Sequence, residues 1–133
     1  MTYHGFEYNK YGVCVNPEIP YRFGKWNQYH FEIKVSETPN GWVYGYDWAH
    51  TTGGGGGPCC LRCNTTFLSR SKAIVAAAEF IKKCYKDDPK ASRAIAELDR
   101  IIKVESEHRH TVRQMTIFDY LEHETKVCTS AQS

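Results

Sequence analysis

Chemistry in this chain would have to come from a few short constellations. Cys60 and Cys63 stand in a Cys-x-x-Cys spacing, which can supply two ligands of a tetrahedral zinc site, with His50, Cys14, Cys84 or Cys128 needed to complete it. Structural zinc sites normally pair two such clusters, and the second is missing. No cofactor is therefore expected, zinc being the one metal these residues suggest. The pair also lacks the strand and helix context of a thioredoxin-like redox motif. Glu107, His108 and His110 gather near an expected helix end, where a cation complements the helix dipole. His108 and His110 fall on different helical faces and would chelate poorly. The glycine run 53–57 invites a phosphate-loop reading, but Pro58-Cys59-Cys60 stands where such a loop needs Lys and Ser/Thr. A dinucleotide loop would need a parallel strand before it, and a hairpin precedes this one. A flexible connector crossing the sheet end is the expectation for these glycines. No Ser/His/Asp order, paired-carboxylate motif or HExxH helix is visible, so the chain is expected not to be an enzyme.

The remaining candidates lie on strands. Tyr29, Phe31, Ile33 and Val35 alternate with His30, Glu32, Lys34 and Ser36, the period-two pattern of a half-buried strand. A turn over 37–41, ending in Asn40-Gly41, leads into a second alternation that places Trp42, Tyr44, Tyr46 and Trp48 on one face. That row is a candidate stacking platform for single-stranded nucleic acid or a planar ligand. The favoured expectation is a core face packed by helices, because aromatic rings dominate core burial. If both rows share a face, that face is core, and His30, Glu32 and Lys34 face solvent with Asp47.

The elements that position these residues follow from periodicity. A short strand is expected near 65–68, then a helix over about 72–85 capped by Ser69 or Ser71, with Ile74, Ala77, Ala78, Ile81 and Tyr85 as its stripe. Asp88-Pro89 starts a second helix with the stripe Ala91, Ala94, Ile95, Leu98, Ile101 and Ile102, fraying near 107–110. The expected fold class is α+β: an antiparallel three- to four-stranded sheet (hairpin 29–48 plus the strand near 65–68) packed by two consecutive helices. Residues 1–110 form one domain, and 111–133 a flexible C-terminal tail. With 17 Lys+Arg against 15 Asp+Glu in 133 residues, no strong basic field points to nonspecific nucleic-acid binding. No stretch reaches about 18 apolar residues and no signal pattern opens the chain, so the expectation is a cytoplasmic protein without a membrane partner.

The tail holds one apolar knot, Met115 to Leu121, in polar surroundings. Here Gln114, Met115, Thr116, Ile117 and Phe118 resemble the short peptide by which bacterial and phage proteins dock on the DNA polymerase sliding clamp. In that pattern Gln114 is the anchoring amide, Met115 the aliphatic place, Thr116 the spacer, and Ile117 with Phe118 the apolar pair. Ile117 replaces the commoner Leu. The resemblance implies a phage or mobile-element accessory protein that binds the bacterial sliding clamp in DNA replication or DNA metabolism, its body engaging DNA or a replication protein. The alternative expectation is a stoichiometric inhibitor of a host defence complex, anti-CRISPR-like, acting through the folded body on a host defence protein. Trp42, Phe67 and Ala73 also resemble the sparse pattern of the sheet-and-helix domains at the N-termini of tyrosine recombinases. The hairpin here lacks the basic residues with which those sheets contact phosphates.

Overall fold

The computed structural model describes residues 1–25, 28–50, 52–63 and 65–122, with side chains up to residue 107. The alternating segments form the expected hairpin, β4 (His30–Thr38) and β5 (Gly41–His50), joined by Pro39-Asn40. Gly41 enters β5 at φ 132°, a conformation closed to most side chains, and the Thr38 hydroxyl accepts from the Asn40 N–H at 3.1 Å to close the turn. Pairing sets Phe31 opposite Trp48, Ile33 opposite Tyr46 and Val35 opposite Tyr44, so the two rows share one face.

That face is the core, in an α+β fold. Phe31, Ile33 and Val35 are fully buried against Ala73, Ile74, Ala77, Ala78, Ile81 and Tyr85 of α1 (Arg70–Tyr85) and Ala94, Leu98 and Ile101 of α2 (Ser92–Glu122). Alanines bring the α1 backbone close to the sheet and leave room for the rings of β5. Ser69 is the α1 cap, accepting from the Lys72 N–H at 3.1 Å. Asp88 caps a 3-10 turn, Pro89–Ala91, that runs directly into α2. α2 continues past the expected fraying at 107–110, because the chain has neither Gly nor Pro after Pro89. None of the described helices is long and apolar enough to cross a membrane.

Two further strands, β3 (Glu18–Gly24) and β6 (Gly53–Gly57), flank the hairpin, giving the order β3-β4-β5-β6 with every pairing antiparallel. β3 is Glu18–Gly24, with a register shift between Glu18 and Tyr21 around Pro20. β6 is the glycine run itself, Gly53–Gly57, which corrects the expectation of a connector. The reason lies in its neighbour: Tyr46 pairs with Gly57 and Trp48 with Gly55. A Cβ built on either glycine would stand 3.0 Å from the facing ring. The rings occupy the space that side chains of β6 would fill, an aromatic cover over glycine that β-sheets use at edges. The segment near 65–68 contributes one bridge, Trp42 with Phe67, held by reciprocal backbone bonds of 2.8 Å.

The outer sheet face is divided. Over one end lie β1 (Thr2–Tyr3), β2 (Phe6–Glu7) and the turns near Cys14 and Cys60, enclosing a small second cluster of Tyr8, Cys14, Val43 and Cys59. Elsewhere Glu32 and Asp47 stand directly opposite each other, and each is paired, Glu32 with Arg22 at 3.0 Å and Asp47 with Lys34 at 2.8 Å. His30, at the start of the same row, is buried rather than solvent-facing.

Candidate functional site

Trp42, Tyr44, Tyr46 and Trp48 point toward the helices and are half-buried. Their faces meet other rings of the chain: Tyr46 lies 4.7 Å from Phe80, Tyr44 6.1 Å from Phe67, and Trp48 packs edge-on against Tyr85 at 5.4 Å. A base or planar ligand stacking here would have to displace these contacts, each worth about 0.5–1.5 kcal/mol beyond area burial. Beyond the row, β6 ends the sheet, and among the described residues no strand pairs with its outer edge. The opposite edge, β3, carries Pro20, an irregular register and the Glu18–Arg70 ion pair, devices that obstruct strand addition. β6 carries none of them.

At the α1 C-terminal end, the Tyr85 hydroxyl, within the core, lies 2.8 Å from the His30 carbonyl and 2.7 Å from that of Ala49, tying α1 to both hairpin strands. Tyr29 donates to Asp88 at 2.7 Å, and that bond, supported by the Lys90 N–H, holds the Asp88 carboxyl below the usual carboxylate range. The His50 Nδ1 accepts from the Thr52 N–H at 3.1 Å.

The described thiols differ in burial, and Cys63 packs against the cluster that holds Cys14 and Cys59. Cys14 and Cys59 belong to the second cluster, and burial pushes the Cys59 thiol up to about 12, keeping it protonated. Cys60 and Cys63 are half-buried in one turn, closed by the Cys63 N–H donating to the Cys60 carbonyl at 3.3 Å. Cys84 lies apart on α1, and Cys128 lies outside the described residues. Among the described residues, no group of three or more His, Cys, Asp or Glu side chains is placed to hold a metal ion.

Sequence reasoning missed a polar latch between β3, α1 and α2. Glu105 is 7% exposed and accepts from the Tyr21 hydroxyl and from Ser71 Oγ at 2.9 Å. Burial and the Glu105 carboxylate push Tyr21 up to about 12. The available signal was Glu105 lying four residues after Ile101 and seven after Leu98, an acid on the apolar stripe of α2.

The latch also marks how far α2 accompanies α1. Ser71 is in the first turn of α1, so Glu105 is level with the start of that helix. α1 has 16 residues and α2 has 31, lengths of about 24 and 46 Å at 1.5 Å per residue. Gln114, Met115, Thr116, Ile117 and Phe118 fall in the later part of α2, where the backbone is helical and side chains lie outside the described set. Residues 123–133, the rest of the expected tail, also lie outside the described residues. Comparison with protein-family models, curated proteins and solved structures finds no match for this chain.

Proposed function

We propose that this is a non-enzymatic accessory protein of phage or mobile-element type that docks on the bacterial DNA sliding clamp through Gln114, Met115, Thr116, Ile117 and Phe118, and so acts on DNA replication or DNA metabolism. The observation that carries the reading is the run itself: an amide, an aliphatic residue, a polar spacer and an adjacent apolar pair, set in α2 beyond the latch at Glu105. Two neighbouring apolar side chains can fill one preformed pocket while the amide satisfies polar groups at its rim. Neighbouring positions on an α-helix are about 100° apart, so docking Ile117 and Phe118 together requires the last turns of α2 to open. Helix ends open at low cost, because few contacts hold them.

Removing residues 113–133 tests the proposal. The truncated chain keeps a cooperative melting transition and loses retention on immobilised clamp. Retention with unchanged affinity would assign clamp binding to the body and end the peptide reading. The second reading, an inhibitor of a host defence complex acting through the folded body, draws on the β6 edge, which no described strand pairs and which could template an incoming strand. The two part on the same truncation: an effect in cells that survives loss of residues 113–133 belongs to the body.

A further inference from the structure

We propose that Cys60 and Cys63 form a dithiol site that a low-molecular-weight disulfide of the glutathione class oxidises to an intramolecular disulfide. The turn Cys60-Leu61-Arg62-Cys63 is closed by the Cys63 N–H on the Cys60 carbonyl at 3.3 Å. A turn of this kind holds its first and fourth Cα atoms within about 7 Å. A disulfide spans Cα separations of about 4.4–6.8 Å. Both residues keep part of their surface open to solvent, Cys63 packing against the second cluster, whereas Cys14 and Cys59 are fully enclosed in it.

The turn is also held from outside. The Leu61 N–H donates to the Gly12 carbonyl at 2.7 Å, the Cys14 N–H donates to the Cys59 carbonyl at 2.9 Å, and Val13 bridges to Cys60. The N-terminal segment therefore fixes the backbone on which the two thiols stand, so closing the bond needs little rearrangement. Exposed Arg62, between them, offers a cation to the carboxylates of the incoming tripeptide.

The exchange balances without another reactant. One thiol, as its thiolate, attacks a sulfur of glutathione disulfide, breaking that S–S bond and releasing one glutathione thiolate, which takes up the proton. The second thiol loses its proton and attacks the sulfur of the mixed disulfide, expelling the second glutathione. Two S–H bonds of the protein become one S–S bond, and two electrons and two protons pass to glutathione. The product locks the turn that fastens the N-terminal segment over the outer sheet face.

The test incubates the full chain with glutathione disulfide, traps free thiols by alkylation in denaturant, and maps the tryptic peptides. Cleavage after Arg62 separates Cys60 from Cys63, so oxidation leaves peptides 35–62 and 63–70 linked until reduction. The expected result is a fall from six free thiols to four, with fragmentation of the linked pair placing the bond on Cys60 rather than Cys59. Cys60→Ser, shown by its melting transition to be folded, loses the link. No link after full equilibration, or a bond placed on Cys59 in the unsubstituted chain, overturns the proposal.

Discussion

Replacing single glycines of β6 by alanine separates an edge strand from a connector. A Cβ on Gly54 would stand less than 3.0 Å from the Trp48 carbonyl oxygen and 3.0 Å from the Ala49 Cα, both backbone atoms of β5 that cannot swing aside. A Cβ on Gly53 would meet only the His50 ring, at 3.4 Å, an ordinary contact. On Gly56 it would meet the Asp47 carboxylate, whose displacement costs the 2.8 Å pair with Lys34, and the Tyr46 carbonyl oxygen at 3.2 Å. Forcing a methyl into a packed site costs about 1–3 kcal/mol. Each glycine-to-alanine change also returns about 0.4–1 kcal/mol by restricting the unfolded chain. The net expectation is a loss of about 1–2 kcal/mol for Gly54→Ala, a gain of about 0.5 kcal/mol for Gly53→Ala, and a value between them for Gly56→Ala. With about 2.1 cal/mol/K of unfolding entropy per residue, 133 residues make 1 kcal/mol worth about 4 °C in Tm. Thermal melts followed by far-UV circular dichroism should therefore separate Gly54→Ala from Gly53→Ala by about 6–10 °C. In a connector both substitutions would act through the unfolded chain alone. Melting points within about 2 °C of each other would refute the docking of β6 on β5.

Other perturbations follow from the buried polar groups. Tyr85→Phe removes the hydroxyl that ties α1 to the His30 and Ala49 carbonyls, and urea titration should show a loss of about 1–2 kcal/mol. Glu105→Ala strands the Tyr21 and Ser71 hydroxyls, so a larger loss of about 2–3 kcal/mol is expected in the same titration. Tyr8, Tyr21 and Tyr85 are each pushed up to about 12, chiefly by burial, and in absorbance titration at alkaline pH they should ionise with or after unfolding. The sign is set by the raised folded value: these groups stabilise the fold fully below the unfolded pKa of about 10, and that contribution disappears as pH rises through about 12.

Side-chain pattern made the hairpin and helices legible, and its absence hid the rest. The alternation through Phe31, Ile33 and Val35 and the helical stripe from Ile74 to Tyr85 each encode a buried face, and the core is built from them. Glycine has no side chain to alternate, so β6 acquires its role from Tyr46 and Trp48 on the neighbouring strand, information that lies outside the run. β3 was obscured by Pro20 and by the register shift beside it. The aromatic row was readable as a face, but its packing against Phe80, Phe67 and Tyr85 depends on where α1 settles. Cys60 and Cys63 were visible as a pair, whereas the N-terminal segment that holds their turn came from 45 or more residues away. The clamp-like run was legible as a motif because its residue types and their order lie within five consecutive positions.

The proposed function is tested most directly by binding to a purified bacterial sliding clamp. The probes are the full chain and a fluorescent peptide of residues 114–121, measured by anisotropy, with Ile117→Ala/Phe118→Ala introduced into both. Clamp docking predicts micromolar binding, equivalent to about −8 kcal/mol, that weakens at least tenfold in the double variant. Absence of binding by both peptide and full chain, or binding indifferent to the double substitution, would contradict it.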